Sequence, residues 1–319
     1  MTGWRRHARR RPVLVALSTV VAAVLLAPLA FLVLEAQGAG VRTVVDLVFE
    51  RLTATLLWNT IRLAVVVTVL CAVIGTLAAW CVERTDLPGR RAWAVLVVVP
   101  FAIPDFAISW GWSSLTTWIH GFQGAVVVMT LGIYPLVYLP VAAALRAADP
   151  GQEEVARSLG VGRVRTFLQV TLGQVRGAVL GGCVLVALTL LAEYGAFEIL
   201  GYRTFTTEIF TEFQVSFSVP SACALSLVLV VLGIVVLAGD SFARGRARVD
   251  RSGPMAQRRV HRHRLGRATL PVLAGFAALA ALALGVPVGT TVYWMLEGGP
   301  QPLAGVSLAA ATGYTVLYA

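Results

Sequence analysis

The sequence contains no lysine: all 26 of its basic residues are arginine, and charged residues of both signs make up only 13% of its 319 positions. An average soluble domain carries about a quarter charged residues, so an ordinary water-soluble fold is excluded. The missing lysine also excludes a phosphate-binding loop of the Gly-x-x-x-x-Gly-Lys-Ser/Thr type, and with it ATP hydrolysis by this chain. Histidine is scarce, with His7, His261 and His263 in arginine-rich segments and His120 beside Trp118. No His-Glu-x-x-His, Cys-x-x-Cys or Gly-x-Ser-x-Gly arrangement occurs, so zinc-dependent and serine-nucleophile hydrolases lack their parts. The four cysteines, Cys71, Cys81, Cys183 and Cys223, fall in or at the ends of apolar runs without close pairing. They read as small apolar packing residues.

What the sequence has in abundance is apolar surface, at 58% of residues. Uncharged apolar runs cover Pro12 to Leu34, Leu63 to Val82, Ala125 to Leu145, Pro220 to Gly239 and Ala268 to Leu296, each near or above the ~20 residues a bilayer helix needs. Two more are interrupted: Ala92 to Trp118 holds Pro100, Pro104 and Asp105, and Gly177 to Ala192 is short before Glu193. Lipid offers no partner for exposed backbone groups, so the spans must be helical. The fold class is therefore all-α, a polytopic bundle of seven spans with an eighth beginning near Ala309. No small-x-small cleavage pattern follows the first run, which reads as a retained anchor. Trp110, Trp112 and Trp118 fit an aromatic belt at a membrane boundary, and Gly177 and Gly181 have the spacing of a close helix contact.

The net charge of +10 follows this topology. Arginines gather before the first span, after the second, around residues 146–176 and after the sixth, which places 22 of the 26 on one side. Only Arg42, Arg51, Arg62 and Arg203 are left for the other. The bias toward positive loops inside puts the N-terminus and the segment at 146–176 in the cytoplasm, with the lipid bilayer as the surrounding partner. Arginine clusters at span ends leave no charge pattern that calls for nucleic acid.

The polar segment between the fourth and fifth spans reads Asp149-Pro150-Gly151-Gln152-Glu153-Glu154-Val155-Ala156-Arg157-Ser158-Leu159-Gly160 and runs on to Val170-Thr171-Leu172. Asp149 suits a helix N-cap, Pro150 the first helical position and Gln152 a capping box, while Glu153 and Glu154 face the positive end of the helix dipole. Gly160 and Gly162 can adopt conformations closed to other residues, so the helix should stop near Leu159 and another begin by Arg163. The same segment resembles the docking loop of ABC-importer permeases with a MetI-like transmembrane domain. That loop places Glu, Ala, Gly, a branched apolar residue and Leu at the spacing seen here in Glu154, Ala156, Gly160, Val170 and Leu172. Val155 and Gly173 stand where the family usually has Ala and Pro. The turn Thr85-Asp86-Leu87-Pro88-Gly89-Arg90-Arg91, with Tyr194-Gly195-Ala196-Phe197 and Tyr202 to Ile209, is similar to the branch containing ferric-iron importers.

The resemblance implies a permease subunit that itself binds no cofactor. ATP would sit on a cytoplasmic ABC ATPase dimer docked on Glu154, Ala156, Gly160 and Leu172, and an extracytoplasmic solute-binding protein would deliver the substrate. ATP-driven closure would push the loop and tilt the fourth and fifth spans. Arg157, Arg163 and Arg165 would be rim contacts or simply solvated charges. Ferric iron is the substrate expected from the branch, with thiamine, polyamine or an oxyanion as alternatives. An ion-coupled secondary transporter would also show broken helices and membrane acids.

Within this frame, residues 1–57 form an anchor helix and outer segment, 58–240 the permease core with its docking loop at 146–176, 241–268 a basic linker, and 269–319 the start of a second repeat. Pro12 and Pro28 share with Pro271 and Pro287 a spacing of 16, and Thr60 and Ala64 have counterparts in Thr315 and Ala319. These echoes suggest a two-unit permease cut short. Asp105 and Glu193 are the candidate substrate-path residues, because intramembrane acids usually face a cavity or a partner. Pro100 and Pro104 would free carbonyls beside Asp105. Equally, Asp105 could sit near the outer interface on a kinked packing helix. Glu198, Glu208 and Glu212 extend the acidic character outward, compatible with a hard cation.

Overall fold

A computed structural model describes residues 4–38, 40, 50–148, 151–245, 263–298 and 308–318. The described residues fold into helices with no strand, apart from one isolated bridge between Thr85 and His263. Among the described residues, six helical stretches are long and apolar enough to cross a membrane: Val15–Gly38, Arg51–Arg84, Gly121–Ala147, Phe167–Ala192, Val219–Phe242 and Gly266–Gly298.

The interrupted third run is a broken span. Helix α3 (Arg90–Leu96), a 3-10 turn (Val99–Ala102) and α4 (Asp105–Leu115) bend by 91° at the break. Pro104 removes a helical N–H, and Ile103 before it is extended (ψ 126°), the conformation a following proline imposes. The hydroxyl of Tyr134 donates to the Val97 carbonyl at 2.7 Å and pins this irregular backbone to the next span.

Two helices outrun their apolar patterns for one reason. Helix α2 (Arg51–Arg84) begins well before Leu63, because the polar residues in its first turns find partners. Asn59 Nδ2 donates to the Arg203 carbonyl at 3.1 Å, and Arg62 bonds the Tyr202 hydroxyl at 3.2 Å while lying 3.9 Å over the Phe122 ring. The fifth span is likewise not short. A π-helical turn (Phe167–Thr171) leads without a break into α9 (Leu172–Ala192), and Gln174 near its start is held by Gln152 at 2.8 Å.

The fourth span joins α5 (Gly121–Ile133) to α6 (Pro135–Ala147), α10 (Gly195–Ile199) and α11 (Phe205–Gln214) follow the fifth, the sixth is α12 (Val219–Gly245), and the seventh comprises α13 (Thr269–Ala280), a π turn and α14 (Val286–Gly298). Leu308–Tyr318 forms an exposed helix where an eighth span was expected.

Contacts define two ends of the bundle. At one, Arg146 of α6 pairs with Glu83 of α2 at 2.7 Å, and His263 pairs with Thr85. At the other, Gly121 N donates to the Leu200 carbonyl at 2.7 Å and Arg62 meets Tyr202. The broken span leads from the first end at Arg90 to the second near His120, so it traverses the bundle rather than returning. Helix α1 (Trp4–Gly38) lies outside, its Ala36 buried against Cys223 and Ala224 of α12.

The core forms where α2, α6 and α9 meet. Gly75 and Gly182 both approach Val137, so closely that a Cβ on either would strike Val137 or its backbone neighbours. The expected close approach at Gly177 is therefore displaced to Gly182, since open space surrounds Gly177. Of the expected tryptophan belt, Trp118 and Trp110 are exposed, whereas Trp112 is buried in the core.

Candidate functional site

Between the fourth and fifth spans stands a short amphipathic helix, α7 (Gly151–Ser158), followed after a turn by α8 (Arg163–Thr166). Asp149 and Pro150, expected to start it, lie outside the described residues. Gly160 stops it in the left-handed region, at φ +81°, and the N–H of Val161 closes back on the Ala156 carbonyl at 3.1 Å. This is a Schellman-type end, and it requires glycine for its backbone rather than for space. Gly162 has no positive φ; its carbonyl accepts from Thr166 N at 2.9 Å as α8 begins.

The outward face of α7 carries Gln152, Glu154, Val155, Ser158 and Leu159. Val155 and Leu159, 60% and 78% exposed, form an apolar pair one turn apart. Glu154 and Gly160 lie on or beside this face, and Ala156 is half-buried at its edge. Leu172 is not there: it belongs to the continuous fifth-span helix and packs against the main core. The side chains of Arg157 and Arg163 lie outside what is described, and Arg165 is exposed with Nε donating to Gln169 Oε1 at 3.1 Å. The apolar pair was missed in the sequence because two large residues four apart in a short polar helix look like ordinary packing positions.

Glu153, the neighbour of Glu154, points the other way and is buried. Its Oε1 accepts from the Thr171 hydroxyl at 2.9 Å and lies 3.6 Å from Arg84 Nε, while Oε2 is 3.4 Å from His263 Nε2. Arg84 is 1% exposed and also donates Nη2 to the Ala148 carbonyl at 3.3 Å, just past the end of α6. Burial alone would raise the Glu153 carboxyl. The His263 hydrogen bond, the Arg84 charge and the Thr171 hydroxyl outweigh it and hold the group below the ordinary carboxylate range. Beside this cluster, Trp80, Phe167 and His263 help line a 230 Å³ cavity.

At mid-bundle, Asp105 opens α4 and is half-buried, its carboxylate occupying the space left by the absent side chain of Gly132. Glu193 closes the fifth span, and its Oε1 accepts from Ala196 N at 2.7 Å, capping a short helix (Gly195–Ile199) that packs on α4. The Gly195 Cβ position lies 3.2 Å from Phe106 Cβ and 3.7 Å from Glu193 Oε1, which sets Glu193 beside the first turn of α4 that Asp105 opens. Farther out, Glu208 is neutralised by Arg203 at 2.7 Å, so the acidic outer segment is partly paired.

Residues 74–244, more than half the chain, match the model of the family described as the binding-protein-dependent transport system inner membrane component. The chain belongs to this family. Together with the six apolar helices, membership makes it a multi-pass inner membrane protein. It is similar to the Fe(3+)-transport system permease protein FbpB 2 of Haemophilus influenzae, with 36% identity over 280 residues that cover 87% of this chain and 55% of that protein. It is also similar to the sulfate transport system permease protein CysW of Synechocystis, at 28% identity over 67% of this chain and 85% of that one. The molybdate/tungstate transport system permease protein WtpB of Thermococcus kodakarensis is 26% identical over 70% of this chain and 92% of its own length. The chain thus spans about half the length of the ferric-iron relative and most of the other two.

Proposed function

We propose that this inner membrane component is the permease part of a bacterial ABC uptake system, and that α7 is where a cytoplasmic ABC ATPase dimer docks. The observation that carries the reading is the outward face of α7. Glu154 and the apolar pair Val155 and Leu159 stand exposed on a helix whose inner face is anchored by Glu153 and whose end is closed at Gly160, within a chain of a binding-protein-dependent family. Exposed apolar side chains on a polar loop have nothing to gain from water and favour a protein partner. ATP binds that partner, and an extracytoplasmic solute-binding protein delivers the cargo. The N-terminus and docking loop face the cytoplasm, as the arginine bias of the loops argues.

Ferric iron is the favoured cargo, because similarity to the ferric-iron permease is both higher and longer than to the sulfate and molybdate permeases. Asp105 and Glu193 offer oxygen ligands suited to a hard cation along the path. An oxyanion is the second reading, favoured by those same sulfate and molybdate relatives. Co-purification of the full-length protein with its ATPase, with and without Glu154→Arg, tests the docking face. Stimulation of ATP hydrolysis by binding protein loaded with ferric iron, sulfate or molybdate then separates the cargoes. A complex indifferent to Glu154→Arg would overturn the docking assignment, and stimulation by an oxyanion alone would overturn iron.

A further inference from the structure

Covalently, the docking loop is attached only to the fourth and fifth spans. The fold attaches it to two more. Glu153 reaches inward from α7 to Arg84, the last residue of α2, and to His263, which stands just before the seventh span. The segment bearing His263 is itself fastened to the turn after α2. His263 N donates to the Arg84 carbonyl at 2.8 Å, Asp86 N donates to the His263 carbonyl at 3.1 Å, and Leu265 N donates to Asp86 Oδ1 at 2.8 Å. A buried carboxylate held by two cationic-type side chains and a hydroxyl is costly to separate from any one of them. It therefore behaves as a joint rather than as a surface contact.

Beyond this joint the seventh span reaches the middle of the bundle. Helix α14 packs on α4 at Gly111, where a Cβ would lie 2.7 Å from Thr290 Oγ1 and 3.1 Å from Pro287 Cα. Helix α4 begins at Asp105. A continuous series of packed elements thus joins α7, through Glu153 and His263, to the candidate path residue.

We propose that Arg84 and His263 are positioning residues of the docking loop, and that through Glu153 they carry displacement of α7 into the second and seventh spans. The proposal rests on the docking reading, and its test must separate the two. Neither residue belongs to the outward face of α7, so neither contacts a partner docked there.

The experiment uses the full-length permease in complex with its ATPase, with native cysteines replaced and spin labels at exposed lipid-facing positions. One pair joins Val24 to Val288 and reports the seventh span; the other joins Val24 to Leu185 and reports the fifth. Distances are measured by pulsed electron resonance with and without ATP and vanadate, so that no substrate need be assumed. In the parent protein both distances should change on nucleotide trapping. His263→Ala should lose the change at the seventh span while the complex and the fifth-span change persist. His263→Gln, which keeps a hydrogen-bond donor for Glu153, should restore it. A seventh-span change that survives His263→Ala overturns the proposal, as does loss of both changes together, since His263 would then serve the fold as a whole. Failure of the docking reading looks different: the parent complex would show no change at either span, or Glu154→Arg would leave complex and changes intact.

Discussion

The meeting of α2, α6 and α9 makes a quantitative demand on two glycines. A Cβ built at Gly182 would lie 2.7 Å from Val137 Cα and 3.0 Å from the Leu136 carbonyl oxygen. Both are backbone atoms of a helix, which cannot rotate away as a side-chain tip can. To reach the 3.4 Å edge of ordinary contact, α6 and α9 must part by about 0.7 Å. Gly75 of α2 packs on the same residue, its Cβ position 2.9 Å from Tyr138 N and from Val137 Cβ, so two helices crowd α6 at Val137. Forced overpacking of this kind costs about 1–3 kcal/mol. Gly177, one and a half turns earlier on α9, has nothing within 4 Å. There alanine should be neutral or stabilising by up to roughly 1 kcal/mol, the helix preference of alanine over glycine. Thermal unfolding in detergent, followed by the loss of monodisperse protein, should lower the midpoint by several degrees for Gly182→Ala and Gly75→Ala, and leave it unchanged or raised for Gly177→Ala. Equal behaviour of the two α9 variants would refute the packing argument.

Four further outcomes follow from the same geometry. Gly160→Ala places a side chain at φ +81°, which costs roughly 1–2 kcal/mol, and should weaken ATPase binding about tenfold, whereas Gly162→Ala should not; equal affinities in a pull-down titration would count against the Schellman end. Glu153→Leu strands a buried Arg84 and should destabilise by about 3–5 kcal/mol, with the double variant Arg84→Leu/Glu153→Leu recovering a large part; strict additivity in thermal unfolding would refute the joint. The Glu153 carboxyl is depressed, so its contribution is fully present above the ordinary value near 4.3 and is lost only as pH falls through the lowered one. With Arg84 and His263 facing it, the stability gap between parent and Glu153→Gln should not shrink from neutral pH to about pH 5. Gly132→Ala places a methyl 2.8 Å from Asp105 Oδ1 and displaces that carboxylate without deleting it. Uptake should fall with the unfolding midpoint nearly kept, and unchanged uptake would remove Asp105 from the path.

What could be read along the chain were features whose cause is local. Apolar run length placed the spans, Pro100 and Pro104 announced the broken one, and Gly160 after an acidic first turn marked the end of α7. Errors arose where a distant residue decides the outcome. Arg62 and Asn59 look like the end of a span until Tyr202, Phe122 and Arg203 arrive to satisfy them. Thr171 and Gln174 look like loop until Glu153 and Gln152 hold them. A glycine pair with the right spacing says that two helices can approach, but which glycine receives the neighbour depends on where Val137 falls. His263 lies 110 residues from Glu153 within an arginine-rich stretch, and nothing local to it marks a partner for Glu153.

Under the docking proposal, Glu153 and Glu154 would give one short helix two purposes. Successive residues on an α-helix project about 100° apart, so adjacent acids cannot share a face. Glu153 turns inward, where burial would be prohibitive for a lone carboxylate and Arg84, His263 and Thr171 make it sustainable. Glu154 turns outward and stands exposed beside Val155 and Leu159. A docking helix held only by its covalent ends would yield when pushed, absorbing displacement in its own loops. A helix anchored by a buried ionic joint on its inner face moves as part of the bundle. If a partner docks on α7 as proposed, the inward acid would make the outward face mechanically useful, and the Glu-Glu pair would act as a unit.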